Sequence, residues 1–240
     1  MKAQERKHLK ENEFATRAAW VAEQVTTNRS RLLTIAGIIV ALAAVVGGYF
    51  YMQRQSADRA SAMLGAAFII NQSPVAPPST VPGATQSPGT FPTEAARAEA
   101  AIAALQKVID AYPSSETGTA ARYYLGATLL SIKRAAEAER AFTDAIAKGG
   151  SSLYAEMAKL GQVEAMAAQQ RYDDAIKVLT DLSAQRTTRL PIDGVLMELA
   201  RVCRKAGKTQ EARAAFKRVV DEFPESTYAN EARQQLSTMG

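Results

Sequence analysis

A repeat of 37 residues constrains the fold of this 240-residue chain more than any other feature. Alanines recur at this spacing, each followed after four residues by a larger apolar side chain. The alanines are Ala101, Ala138, Ala175 and Ala212, and the larger residues are Leu105, Phe142, Leu179 and Phe216. Residues at i and i+4 share one face of a helix, so each pair predicts a helix that packs on its predecessor. The period therefore predicts a solenoid of helix pairs.

The first helix of each pair lies upstream of the alanine. Twelve residues before the last three alanines stand Gly126, Val163 and Ala200. Pro or Gly follows the second helix at three of the four equivalent positions, Pro113, Gly150 and Pro224. This pattern of small, large apolar and helix-ending residues resembles the tetratricopeptide repeat. The resemblance implies an all-α solenoid over residues 53–240.

The first helix pair is interrupted. Leu64, Gly65 and Phe68 repeat the first-helix pattern, but Gly65 precedes Ala101 by 36 residues instead of 12. The extra residues fall in 72–93, which holds six of the nine prolines and cannot form a continuous helix. We interpret 72–93 as an extended loop inserted in one repeat. It is either an arm that binds a partner or a tolerated surface insertion. The tail, 227–239, is predicted to be an unpaired helix that caps the solenoid.

Residues 32–52 form an uncharged run of 21 residues, of which 17 are apolar. A helix of this length spans a hydrocarbon core of roughly 30 Å. Tyr49, Phe50 and Tyr51 provide the aromatic residues expected at a membrane interface. A cleaved signal peptide is the alternative, but the apolar run is longer than such peptides have. The sequence thus predicts a single N-terminal transmembrane helix in contact with the lipid bilayer.

Charge predicts the orientation of this helix. Residues 1–31 carry seven basic and four acidic side chains, whereas only Arg54 and Arg59 are basic within twenty residues after the span. The positive-inside rule then makes residues 1–31 a cytoplasmic basic amphipathic segment. Residues 53–240 would then lie outside the cytoplasm. If the membrane is the inner membrane of a bacterium, that compartment is the periplasm. Four small residues in the span favour close packing on another helix. They are Gly37, Ala41, Ala44 and Gly48. Small residues are, however, common in any transmembrane helix.

The chain lacks the residues that several classes of enzyme and binding site need. His8 is the single histidine, so no histidine-based triad or zinc cluster can be built. Phosphate-binding glycine motifs are absent, and Cys203 takes an apolar position of a first helix, as a buried thiol would. Basic side chains alternate with acidic ones, which argues against a nucleic-acid surface. We expect a protein without enzymatic activity, cofactor, metal or nucleic acid.

A partner would then bind the concave face, formed by one stripe of each first helix. Aromatic residues and methionine with a basic end favour an extended, partly apolar peptide, although several of these residues could instead belong to the core. The predicted groove consists of Ile69, Tyr123, Leu130, Met157, Leu160, Met197, Arg201 and Arg204.

Two segments extend the resemblance beyond the repeat. YPSSETGTAARYYLG (112–126) and FPESTYANEARQQL (223–236), together with the basic N-terminus and the single span, resemble the ancillary subunit of the Sec translocon, a YfgM-like family. The resemblance implies a chaperone-like adaptor at the periplasmic face of the inner membrane near the secretion channel. Its partners would be the channel, periplasmic chaperones or unfolded clients. The alternative is an accessory subunit that packs on and stabilises a large membrane complex.

Overall fold

The computed structural model describes residues 29–77, 86–185 and 189–239. Most of the predicted cytoplasmic segment, 1–31, lies outside this part of the chain. Within the described residues the chain is helical, with nine helices. They are α1 (Arg29–Gln72), α2 (Glu94–Ala111), α3 (Glu116–Ser131), α4 (Ala135–Gly149), α5 (Leu153–Ala168), α6 (Tyr172–Ala184), α7 (Ile192–Lys205), α8 (Thr209–Glu222) and α9 (Ala229–Thr238). Contacts divide the chain into two units, Met1–Ser56 and Ala57–Gly240.

The described part of the first unit is the N-terminal portion of α1. Its large apolar side chains, from Leu33 to Met52, are each more than half exposed. Among the helices of the described chain, α1 is the one that is long and apolar enough to cross a membrane. It does not end at residue 52, the predicted end of the span. No proline interrupts the chain before Pro74, so the helix continues to Gln72.

The second unit consists of helix pairs stacked in chain order. The C-terminal part of α1 shares one cluster of buried side chains with α2, and the next pairs are α3 with α4, α5 with α6, and α7 with α8. Two further clusters complete the core. The four repeat alanines are fully buried, with 0% of their surface exposed: Ala101, Ala138, Ala175 and Ala212. These stacked helix pairs confirm the predicted all-α repeat solenoid. The small residues at the helix crossings allow neighbouring helices to approach closely.

The turn inside each of the last three pairs has the same backbone geometry at intervals of 37 residues. Lys133, Gln170 and Gly207 have φ values of 65°, 63° and 75°. Each N–H bonds to the carbonyl three residues back, and the following N–H bonds to the carbonyl five back, as in Arg134 N–H to Leu129 O at 2.9 Å. These bonds form the Schellman motif, which satisfies carbonyls at a helix end. The turn therefore repeats even though only one of the three residues is glycine.

The residue after each of these turns is a cation that links two repeats. Arg134 Nη1 lies 2.8 Å from Glu99 of α2, and Arg171 Nη1 lies 2.8 Å from Glu139 of α4. Lys208 Nζ lies 2.7 Å from Asp173 of α6. Each cation follows the turn and precedes a second helix, so it reaches back to the second helix of the previous pair. These ion pairs form a ladder along the outer side of successive repeats.

The Pro-rich insertion begins after α1 and ends before α2, and its two described ends are bonded together. Ala76 N donates to Phe91 O at 2.9 Å, and Phe91 N donates to Pro74 O at 3.0 Å. Gln86 Nε2 also donates to Ala76 O at 2.8 Å. The insertion therefore leaves and re-enters the first repeat at one place, which allows α1 and α2 to share a core across it. The middle of the predicted loop, 78–85, lies outside the described residues.

The last helix, α9, covers the end of the solenoid. Its Ala229 and Ala232 are buried, and Glu231 accepts from Arg201 of α7 at 2.9 Å. Ser226, in the turn before α9, donates to Asp193 of α7 at 2.6 Å. An unpaired helix with a polar outer face protects the apolar edge of the final repeat from water. The predicted capping segment, 227–239, contains this helix.

Candidate functional site

The concave side of the repeat unit contains a cavity of about 720 Å³. Three first helices, α3, α5 and α7, supply most of its lining. The lining residues are Tyr123, Ala127, Leu130, Ser131, Phe142, Met157, Leu160, Gly161, Glu164, Pro191, Gly194, Val195, Glu198, Arg201, Lys205 and Tyr228. A volume of this size accommodates a few side chains of an extended segment rather than a folded domain.

Phe142 of α4 lies behind the first helices and has 1% of its surface exposed. A Cβ on Gly126 of α3 would lie 2.7 Å from its Cε1, and a Cβ on Gly161 of α5 would lie 2.5 Å from the same atom. Both glycines therefore provide the space that the ring fills. The ring holds α3 and α5 at a fixed separation, and this separation sets the width of the cavity between them.

Aromatic rings continue from Phe142 along one wall of the cavity. The ring centroid of Tyr123 lies 6.0 Å from that of Phe142 and 6.1 Å from that of Tyr154. Tyr124 packs edge-on against Phe68 of α1, with centroids 4.4 Å apart. Such pairs add stability beyond the area they bury. Burial raises the pKa of Tyr123, and the nearby Glu164 carboxylate raises it further. The Tyr123 phenol therefore stays protonated at neutral pH.

The opposite wall, on α7, carries most of the charge. Arg201 Nη2 lies 2.9 Å from Glu231 of α9, and its Nη1 lies 3.7 Å from Glu198. The hydrogen bond to Glu231 raises the pKa of Arg201, although partial burial opposes this effect. Lys205 is one turn further along α7 and is exposed. Among the described residues, Glu164 and Lys205 line the cavity without an ion-pair partner.

Five of the eight predicted groove residues line this cavity, whereas three do not. Tyr123, Leu130, Met157, Leu160 and Arg201 are in the lining. Ile69 of α1 is 72% exposed and lies outside it. Arg204 bonds to Gln235 of α9 instead. Ile69 and Arg204 therefore lie outside the lining of this cavity.

Met197 is also misplaced by the sequence pattern. It is fully buried in the C-terminal core cluster. On α7 the residues that line the cavity are Gly194, Val195, Glu198, Arg201 and Lys205. Met197 lies beside this stripe and packs into the core, because the helix presents a slightly different face from α3 and α5. Met197 therefore belongs to the core of this fold and does not line the cavity.

Several lining residues were missed from sequence, and the period could have found two of them. Ala127, Glu164 and Arg201 are separated by 37 residues and line the cavity from three successive first helices. Stepping back one period from Arg201 would have identified Glu164, and stepping back two periods would have identified Ala127. Pro191 and Tyr228 come from segments outside the first helices, and only the tertiary fold brings them to the cavity.

The small residues predicted to pack a partner helix lie on the exposed N-terminal portion of α1. A Cβ added to Gly37 or Gly48 would meet no atom within 4 Å. Ala41 and Ala44 are exposed as well. No residue of the described chain covers them. In the same described residues, no group of three or more acidic, cysteine or histidine side chains is arranged to hold a metal ion.

A family model described as a tetratricopeptide repeat-like domain matches residues 27–239. No curated protein matches the sequence. A crystal structure of a Podosopora anserina protein described as a putative kinesin light chain with TPR-like repeats has a TM-score of 0.55, at 15% identity over 75% of this chain and 85% of that chain. A point variant of the same protein gives 0.53, at 16% identity over 75% and 91%. MamA gives 0.48, at 20% identity over 60% and 77%. The two higher scores support the helical-repeat fold.

Proposed function

Because this chain belongs to the tetratricopeptide repeat-like domain family, we propose that it is a membrane-anchored module that binds an extended segment of another protein. Domains of this kind typically act as protein-interaction scaffolds. The observation that carries the proposal is the cavity of about 720 Å³ on the concave face. Its apolar floor is open between three first helices.

The lining suits an extended segment of variable sequence. Leu130, Met157 and Leu160 are partly exposed and apolar, so they can bury a partner's side chains. Methionine adapts to different shapes because its side chain is flexible and polarizable. A groove of this composition favours unfolded or emerging chains over one defined epitope. This property supports a chaperone-like adaptor.

Location is the second part of the proposal. The exposed apolar side chains from Leu33 to Met52 suit a lipid environment, and the seven basic residues before the span favour a cytoplasmic N-terminus. The repeats would then lie in the periplasm at the inner membrane. Together with the likeness of 112–126 and 223–236 to the ancillary Sec subunit, this placement leads us to propose a position near the secretion channel.

The binding role can be tested with the full chain in mild detergent and reduced, carboxymethylated α-lactalbumin as a permanently unfolded probe. We expect retention of the unfolded probe but not of native α-lactalbumin. Met157→Asp should reduce retention, because a carboxylate would occupy the apolar floor. Leu153→Asp is the matched control: Leu153 is 47% exposed and does not line the cavity. Equal retention by both variants would exclude the cavity as the binding site.

The membrane placement has its own test. Protease added to spheroplasts should digest the repeat domain while it leaves the N-terminal segment intact, and the protein should remain in the membrane after alkaline extraction. A repeat domain protected from external protease would reverse the proposed orientation. Release by alkali would exclude the transmembrane helix.

A second role follows from a separate observation, the uncovered small residues of α1. Gly37 and Gly48 have open space where a Cβ would stand, so another helix could approach α1 closely. An accessory subunit would use this face to pack on a large membrane complex. Gly37→Ile and Gly48→Ile should then abolish stoichiometric co-purification with that complex, whereas Val40→Ile, on a larger residue, should not. Retained co-purification of both glycine variants would contradict this role.

A further inference from the structure

The cavity contains two charged side chains that the fold does not use. Arg201 is held by Glu231 and Glu198, and Arg204 by Gln235, so these two arginines attach α9 to the solenoid. Glu164 of α5 and Lys205 of α7 line the same cavity, are exposed, and make no ion pair among the described residues. Charges without a partner inside a concave site are the groups a ligand can pair with.

Glu164 and Tyr123 line the same cavity. Burial raises the pKa of the Tyr123 phenol, and the negative charge of Glu164 raises it further. Tyr123 is in turn 5.1 Å from Tyr124 and 6.1 Å from Tyr154, measured between ring centroids. An aromatic face beside a carboxylate attracts a cation through both the ring quadrupole and the opposite charge. This end of the cavity therefore favours a lysine or arginine side chain of a partner.

Lys205 gives the α7 side the opposite preference. It follows Arg201 by four residues, so both lie on one face of the helix. The charge of Arg201 is already balanced by its own carboxylates, and that of Lys205 is not. An acidic side chain or a terminal carboxylate can pair with this ammonium group. The same cavity also exposes three apolar side chains, Leu130, Met157 and Leu160.

We propose that the cavity selects an extended segment that combines an apolar residue with a basic residue, bound at Tyr123 and Glu164, and an acidic residue, bound at Lys205. This inference rests on the proposed function and specifies the chemistry of the partner. Each charged pair is partly exposed and contributes modestly, so the charges orient the segment while the apolar floor supplies most of the affinity.

The test uses five labelled nine-residue peptides and the full chain in mild detergent, with binding followed by fluorescence anisotropy. All five share a Leu-Phe-Leu centre. Their flanking residues are Lys before and Asp after, Asp before and Lys after, Lys on both sides, Asp on both sides, and Ser on both sides. One mixed-charge peptide should bind about three- to tenfold more tightly than the Ser peptide. The order that binds better reveals the direction of the segment.

Charge-exchange variants test whether Glu164 and Lys205 bind the charged residues of the peptide. Glu164→Lys should weaken the preferred peptide to the level of the Ser peptide, and so should Lys205→Glu. The double variant should prefer the opposite flanking order, because it exchanges the two ends. Glu225→Lys and Lys217→Glu are the controls: both residues are exposed, lie outside the cavity and make no ion pair among the described residues. These controls should retain the original preference.

The results separate this inference from the function on which it rests. If all five peptides bind equally and Met157→Asp abolishes their binding, the charge selection is wrong and the groove remains. If the double variant keeps the original order, Glu164 and Lys205 are not the selecting residues. If none of the peptides and no unfolded protein binds, both proposals are excluded. Circular dichroism of each variant shows whether the helical fold is intact.

Discussion

Gly126 of α3 and Phe142 of α4 share one space, since a Cβ on Gly126 would lie 2.7 Å from Phe142 Cε1. Gly161 of α5 meets the same ring from the next repeat, at 2.5 Å. The ring is therefore enclosed by backbone on two sides. Its position sets the spacing of the first helices that form the concave cavity.

Gly126→Ala and Gly161→Ala should each destabilise the repeat unit by about 1–3 kcal/mol, because the added methyl overpacks a filled site. Thermal unfolding of the full chain in mild detergent, followed by circular dichroism, measures the loss. Combining either change with Phe142→Leu should recover part of it. Gly65→Ala is the control. No atom lies within 4 Å of its added Cβ, so the variant should gain about 0.5–1 kcal/mol from helix propensity. Equal effects at all three glycines would contradict this packing.

At the recurring left-handed turns, introducing glycine and removing glycine should have opposite effects on the stability of the protein. Lys133→Gly and Gln170→Gly should stabilise the protein by up to about 1 kcal/mol, because glycine adopts a positive φ without a steric penalty. Gly207→Ala should destabilise it by about 1 kcal/mol for the same reason. Lys148→Gly, inside α4, tests whether glycine itself is beneficial, and it should cost about 1 kcal/mol. Urea unfolding midpoints provide the comparison. Destabilisation by Lys133→Gly would show that this turn does not need the left-handed conformation.

Alanine substitutions of Met197 and Met157 should distinguish a core residue from a groove residue. Met197→Ala should cost about 2–5 kcal/mol, because it empties a fully buried site in the C-terminal cluster. Met157 lines the cavity and is partly exposed, so Met157→Ala should cost about 1 kcal/mol or less while it weakens peptide binding. Unfolding free energy and peptide affinity, measured on the same samples, test both expectations. A larger stability loss at Met157 than at Met197 would reverse the assignment.

Arg134, which also pairs with Glu137 three residues ahead, predicts a dependence on pH. A hydrogen bond from Arg134 holds the pKa of Glu137 below its usual range. A lowered pKa in the folded state stabilises the protein above the unfolded pKa of about 4.3, and this contribution disappears as the pH falls through the folded value. Arg134→Gln should therefore lower the melting temperature slightly at pH 7, and the difference should vanish in strong acid. High salt should also reduce it.

Lys177→Gln is the matched control for this prediction, because Lys177 is exposed and makes no ion pair among the described residues. Its small effect should not follow the protonation of Glu137. A difference between Arg134→Gln and the parent protein that persists in strong acid would show that Arg134 acts through packing and not through its charge.

Cys203 predicts a chemical difference between folded and unfolded protein. Cys203 is 1% exposed, and burial raises the pKa of its thiol. Both effects suppress the thiolate that reacts with disulfide reagents. We expect no rapid reaction with Ellman's reagent at pH 8 in the native protein and full reaction in denaturant. Lys205→Cys in a Cys203→Ala background should react rapidly in the native state, because position 205 is exposed. Rapid reaction of native Cys203 would show that α7 opens.

Much of this protein could be predicted from local spacing in the sequence. The alanines at 37-residue intervals predicted the helix pairs, because a small residue at each crossing is what close helix packing requires. Cys203 was predicted to be buried from its place in the same pattern. Such features repeat along the chain, so they can be detected from the spacing of residues in the sequence, without the tertiary structure.

Only the tertiary structure decided which side chains reach the cavity. Met197 and Leu160 stand at equivalent repeat positions, yet one is buried and the other lines the groove, because each first helix presents a slightly different face. Arg201 and Arg204 were predicted to be recognition residues, but Glu231 and Gln235 of α9 lie beside them. A charge is available to a ligand only if the fold leaves it unpaired. That depends on residues some thirty positions away, which the period of the sequence does not specify.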